Sequence, residues 1–173
     1  MSWLFGAAPT LVADNSFSNS LPVSPNAAFF GNFRTVGTID RMVAESESSN
    51  SLGKVGEKEI FAQTAEWMDY SGTQPGDHKE GVTFFDHPSN PGHPTAWHVR
   101  EDGWMGAANC LSTPRMITAK ETLTLRYQLH AHKGMLDPQR AAKVFKEFAD
   151  RSPMVLVKAP AKSTAFKLER AKK

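Results

Sequence analysis

Hydrophobic and polar positions alternate most regularly between Thr122 and His132. Leu123, Leu125, Tyr127, Leu129 and Ala131 fall on one side of an extended chain, and Thr122, Thr124, Arg126, Gln128, His130 and His132 on the other. Successive side chains of a strand point to opposite faces, so the pattern predicts a strand with one face on a core and the other toward water or a ligand. Past Gly134 the period changes. Ala141, Ala142, Val144, Phe145, Phe148 and Ala149 follow helical spacing, with Asp137 as N-cap and Pro138 at the first helical position. A short amphipathic helix is predicted over about 138–149, ended before Pro153, with Met154–Val157 as a last strand.

Earlier in the chain the punctuation is that of a β protein. Glu59–Tyr70 reads as a strand running into the turn formers Gly72–His78, and Val82–Phe85 as its hairpin partner. Pro88, Pro91 and Pro94 then break the chain into an ordered loop or sheet edge, because proline lacks the N–H a ladder needs. Trp97–Arg100 re-enters a sheet. The Ser- and Glu-rich stretch 44–53 has no core residues and reads as a mobile loop. Residues 1–33 carry one charged group, Asp14, and neither period. The expected organisation is an irregular or weakly docked segment over 1–52, a β domain over 53–158 and a basic tail over 159–173. The expected fold is mainly β, an antiparallel β-sandwich or half-sandwich with one short amphipathic helix.

Composition narrows the function classes. The chain has 173 residues and a net charge of +2, without the strongly basic face that nucleic acid selects. Eleven prolines and twelve glycines suit a loop-rich β fold. Cys110 is the single cysteine, which excludes an intrachain disulfide, and it reads as a small buried apolar residue rather than a reactive thiol. No run of eighteen apolar residues exists for a membrane span, and no membrane partner is expected. The N-terminus is apolar but lacks a positive leading region, and Leu11-Val12-Ala13 is a poor cleavage site, so it gives no clear export signal. The compartment stays open. The tail from Lys158 holds six basic residues against Glu169 and reads as a solvated, partly mobile terminus.

The residues with chemistry concentrate in Phe85–Arg100. Asp86, His87, His93 and His98 bring carboxylate and imidazole groups onto a proline-stiffened loop, the composition of general acid–base catalysis on a polar substrate. Trp97 or Trp104 could stack on a sugar face, and Arg100, Arg126 and His132 complete the substrate-binding set. Imidazole and carboxylate also suit a metal. The gaps, five residues between His87 and His93 and four between His93 and His98, match no metal motif, so none is assigned and no cofactor is named. The alternative is scaffold: Asp86 accepting loop N–H groups, histidines bonding buried carbonyls, Trp97 filling the core.

The run Asp86-His87-Pro88-Ser89-Asn90-Pro91-Gly92-His93-Pro94-Thr95-Ala96-Trp97-His98-Val99-Arg100, with Trp67-Met68-Asp69-Tyr70-Ser71-Gly72 before it and Leu125-Arg126-Tyr127 after it, resembles the bacterial family labelled methane oxygenase PmoA. That family is distinct from the membrane subunit of methane monooxygenase. The resemblance covers about residues 53–158. It implies a soluble β-sandwich associated with bacterial sugar metabolism, and a truncated member whose front strands are missing. It departs from the pattern at Phe61-Ala62-Gln63 and at Asn109-Cys110-Leu111. Two functions remain open: an enzyme acting on a carbohydrate or related small polar substrate, and a non-catalytic sugar-binding or structural β module. Truncation would also leave an exposed sheet edge able to self-associate.

Overall fold

The computed structural model describes residues 33–34, 46–74, 76–118, 121–159 and 165–172. The reading of residues 1–32 and 35–45 as irregular lies outside the described residues. The fold is mainly β and antiparallel, a sandwich-like arrangement with few helices. Strands β1 (Phe33–Arg34) and β2 (Glu47–Asn50) are followed by the one-turn helix α1 (Glu57–Ile60). Then come β3 (Trp67–Gln74), β4 (His78–Asp86), β5 (Trp97–Val99), β6 (Trp104–Ala107) and β7 (Tyr127–Lys133). Helix α2 (Pro138–Ala149) and strands β8 (Met154–Lys158) and β9 (Phe166–Arg170) close the chain. The larger sheet has the order β2-β3-β4-β7, the smaller β1-β6-β5, and β8 and β9 pair with each other.

The β3–β4–β7 register determines what each face carries. Met68, Phe84 and Leu129 stand abreast, as do Tyr70, Val82 and Ala131. Met68, Tyr70 and Phe84 pack with Trp97, Val99, Met105 and Ala107 of the smaller sheet and with Ile60. This is the sandwich core, and each fully buried large apolar side chain contributes roughly 1.5–3 kcal/mol. On the opposite face Trp67, Phe85 and Gln128 stand abreast, then Asp69, Thr83 and His130, then Ser71, Gly81 and His132. Helix α2 covers this second face, with Ala141 and Phe148 against Trp67 and Phe85. Asp137 caps α2, its carboxylate accepting from Gln139 N and Arg140 N at 2.9 and 3.2 Å.

Several sequence expectations need correction. Residues 47–50 are not a loop but strand β2, with Ser48, Ser49 and Asn50 buried against β3. Ladder bonds and the turn from Asn50 Oδ1 to Leu52 N and Lys54 N satisfy a segment that has no apolar side chain to give it away. Glu59 and Ile60 belong to α1. The hairpin connection is tighter than its turn formers suggested, because β3 continues to Gln74 and β4 resumes at His78. Within the tail, Phe166–Arg170 forms β9, exposed throughout as a solvated tail is expected to be. Thr122–Arg126 lie before β7 rather than in it. The polar row of β7 faces the underside of α2, so Arg126 and Gln128 are buried.

Candidate functional site

The site is assembled from the polar row under α2. Asp69 on β3 is fully buried, and its Oδ2 accepts from the Thr83 hydroxyl at 2.7 Å and meets His132 Nε2 at 2.8 Å. The Ser71 hydroxyl donates to Oδ1. These four side chains come from three neighbouring strands, and a glycine makes their meeting geometrically feasible. His132 on β7 reaches Asp69 by lying over Gly81 of the intervening β4. A Cβ at that position would stand 2.6 Å from His132 Cε1 and 2.7 Å from Nε2, closer than carbon atoms approach. Gly81 is the window through which the couple forms.

Beside the couple lies a small cavity lined by Thr83, His130, His132, Leu136, Asp137 and Arg140, among others. Its volume is about 20 Å³, room for about one water or one hydroxyl group. The rings of His130 and His132 are 6.0 Å apart, and their surroundings act on them in opposite directions. Burial disfavours a charged His132, but the hydrogen bond and charge of Asp69, helped by the backbone at Gly134 and Lys133, outweigh it and raise the pKa. Burial lowers that of His130, reinforced by the positive charge of His132 and Arg140.

A second carboxylate–imidazole couple lies at the end of β4. Asp86, also fully buried, stands on the core face beside Tyr127. Its Oδ1 accepts from Asn90 Nδ2 at 2.7 Å; its Oδ2 meets His93 Nδ1 at 2.8 Å and accepts from Thr95 N at 3.0 Å. Burial raises the Asp86 pKa against the opposing effect of those three partners. Asn90 also donates to the Arg126 carbonyl and accepts from Arg126 N, each at 2.7 Å, tying the loop to the start of β7.

The residues named from sequence therefore divide. Asp86 and His93 form one couple. His87 lies 3.5 Å from the Arg126 guanidinium and packs edge-on against Phe148, and its pKa falls to about 4, from burial first and the Arg126 charge second. His132 belongs with Asp69. His98 lies on β5 with its ring against Phe61, and Arg100 pairs with Asp102 at 2.9 Å near the surface. Trp97 is 0% exposed, with Nε1 donating to the Ala65 carbonyl, so it presents no ring face to a ligand; Trp104 is half-buried on β6. Of these polar residues only His132 lines the cavity under α2, while the loop histidine His87 reaches Arg126. The site set drawn from sequence left out Asp69, Ser71, Gly81, Thr83, His130 and Arg140. A signal existed for two of them, since Asp69 and Ser71 are two apart on a strand and so share a face. Among the described residues no three His, Cys, Asp or Glu side chains gather as metal ligands, and no helix is long and apolar enough to cross a membrane.

The model of DUF6807, a family of unknown function, matches residues 27–146, more than half of the chain. The chain belongs to that family. The match begins well ahead of residue 53, where the resemblance in sequence had been placed, so the family region takes in β1 and β2 as well as both couples. It ends within α2, short of residue 158. No curated protein and no solved structure matches the chain.

Proposed function

We propose that this member of the DUF6807 family acts on a carbohydrate or related small polar substrate by general acid–base chemistry at the cavity between β7 and α2. One observation carries the reading: two histidines, two apart on one strand face, line the same cavity while their surroundings favour opposite charge states. Titratable neighbours held apart in this way are how one site supplies both a base and an acid near neutral pH. His130, its pKa lowered, is the base; His132, its pKa raised by Asp69, is the acid. Arg140 neutralises negative charge developing on the substrate. A cavity of about 20 Å³ takes one hydroxyl rather than a whole ring, so the rest of the substrate lies over the surface outside it. The resemblance of Asp86–Arg100 to the PmoA-labelled bacterial family supports the choice of a sugar-like substrate.

The test follows the imidazole Cε1–Hε1 resonances by NMR while neutral and acidic sugars are added. Binding should shift His130 and His132 together, and His130→Ala should abolish both the shift and any turnover found, with little change in melting temperature. If no sugar perturbs either ring and His130→Ala chiefly destabilises the protein, the catalytic reading fails. A second reading, a non-catalytic β module, is favoured by the inward orientation of the Asp86 network and by the burial of Trp97.

A further inference from the structure

Among the described residues, the β8–β9 ribbon carries an apolar face whose leucines and phenylalanine are largely exposed. Register puts Met154, Leu156 and Lys158 of β8 on the same side as Arg170, Leu168 and Phe166 of β9. Leu156, Leu168 and Phe166 are 64%, 63% and 57% exposed. A two-stranded ribbon is marginal in water unless its face is covered, and contiguous exposed apolar side chains mark a contact surface. Charge selects what covers it. The face carries a cation at each end, Lys158 beside Phe166 and Arg170 beside Met154, and no acidic residue. The Arg170 guanidinium also donates to the Ser152 carbonyl. Glu169 is on the opposite side, paired with Lys167. Face-to-face packing of a second copy would gather four cations around one apolar centre with no acidic group to answer them.

We propose that this face docks on an anionic lipid bilayer, with Leu156, Phe166 and Leu168 entering the interface and Lys158 and Arg170 reaching the headgroups. Apolar side chains rimmed by lysine and arginine, whose stems lie along the apolar surface while their charges stay at headgroup level, suit this boundary. Each basic residue near an anionic leaflet adds to the attraction, and salt screens it. This runs against the expectation from sequence that no membrane is a partner, an expectation that rested on the lack of a spanning apolar run. It does not depend on the β7–α2 cavity.

The experiment is co-sedimentation of the full chain with vesicles of phosphatidylcholine alone or mixed with phosphatidylserine. Binding to the mixed vesicles should be about tenfold or more the stronger, and should fall as salt is raised. Leu156→Ser with Leu168→Ser should reduce it by about tenfold or more. Both side chains are exposed, so circular dichroism and melting should be unchanged. Should that variant fail to fold, Lys158→Ala with Arg170→Ala, which removes both cations of this face, should weaken binding to the mixed vesicles by about tenfold. Equal binding to both vesicles, or no binding, overturns the proposal. So does binding indifferent to the substitutions, or a dimer in sedimentation velocity that the leucine substitutions convert to monomer.

Discussion

Asp69–His132 and Asp86–His93 each join a fully buried carboxyl to an imidazole at 2.8 Å, yet they are built in different ways. The first is a product of register. Its members lie on β3, β4 and β7, on the face that α2 covers, and two of its donors are hydroxyls that can rotate to other acceptors. The second is a product of a loop. Asn90, His93 and Thr95 all come from the segment that follows Asp86, so their hydrogen bonds fold the chain back onto the strand that carries the carboxyl. The imidazole contacts differ too, Nε2 in the first couple and Nδ1 in the second. The same pair of residue types thus serves a cavity in one place and a loop closure in the other, and its surroundings make the difference.

That contrast is broken most severely at Asp86. Asp86→Ala strands the Thr95 N–H and removes partners of Asn90 and His93 together, at a carboxyl that is itself fully buried. Removing one member of a buried, hydrogen-bonded polar cluster costs on the order of 3–5 kcal/mol. Asp69→Ala should cost less, since the Ser71 and Thr83 hydroxyls can turn away and His132 can release its proton. Urea unfolding of the two variants measures the gap. Equal losses would mean that both couples are structural in the same sense.

The next largest effect is expected at Gly81. Gly81→Ala should cost about 1–3 kcal/mol through overpacking and should push His132 off Asp69. Loss of the partner lowers the His132 pKa, which an imidazole NMR titration reads directly. An unchanged His132 titration in a folded Gly81→Ala protein would show that the ring does not need the window.

Much of this architecture was legible because it is written in local pattern. Asp137-Pro138 and the 3.6-residue spacing after it mark α2, and the alternation through Tyr127, Leu129 and Ala131 marks β7. What failed was whatever depends on neighbours distant in sequence. Ser48, Ser49 and Asn50 carry no apolar signal, and only their pairing with β3 buries them. Asp69 and His132 are 63 residues apart and meet across a third strand, so only the register could join them. Gly81 inside a strand reads as a weak point until the ring above it is seen. Phe166–Arg170 is exposed along its whole length, as a solvated tail is, and only its pairing with β8 was not legible. The loop Asp86–Thr95 is polar and broken by proline, and its geometry is that of the scaffold alternative read from sequence, with Asp86 accepting a loop N–H and Trp97 filling the core.

The smallest effect, and the finest test of the contrast, is the pH dependence of stability. His132 has its pKa raised in the folded protein, so its contribution is fully present below the ordinary histidine value of about 6.5 and is lost as pH rises through the folded pKa. His87, lowered to about 4, does the reverse: its contribution is present above about pH 6.5 and is lost as pH falls toward 4. One proton gives a slope of at most about 1.4 kcal/mol per pH unit, so each flank is shallow. Unfolding free energies from pH 4 to 9 should fall away on both sides of pH 6.5, with His130 adding to the acid side because its pKa too is lowered. His132→Gln should flatten the alkaline flank alone, and His87→Gln part of the acid flank alone. The two substitutions act through separate groups, His132 through Asp69 and His87 beside Arg126, so their effects on the profile should add. An alkaline flank that persists in His132→Gln would place its origin outside the Asp69 couple and remove the ground for treating His132 as the protonated partner of His130.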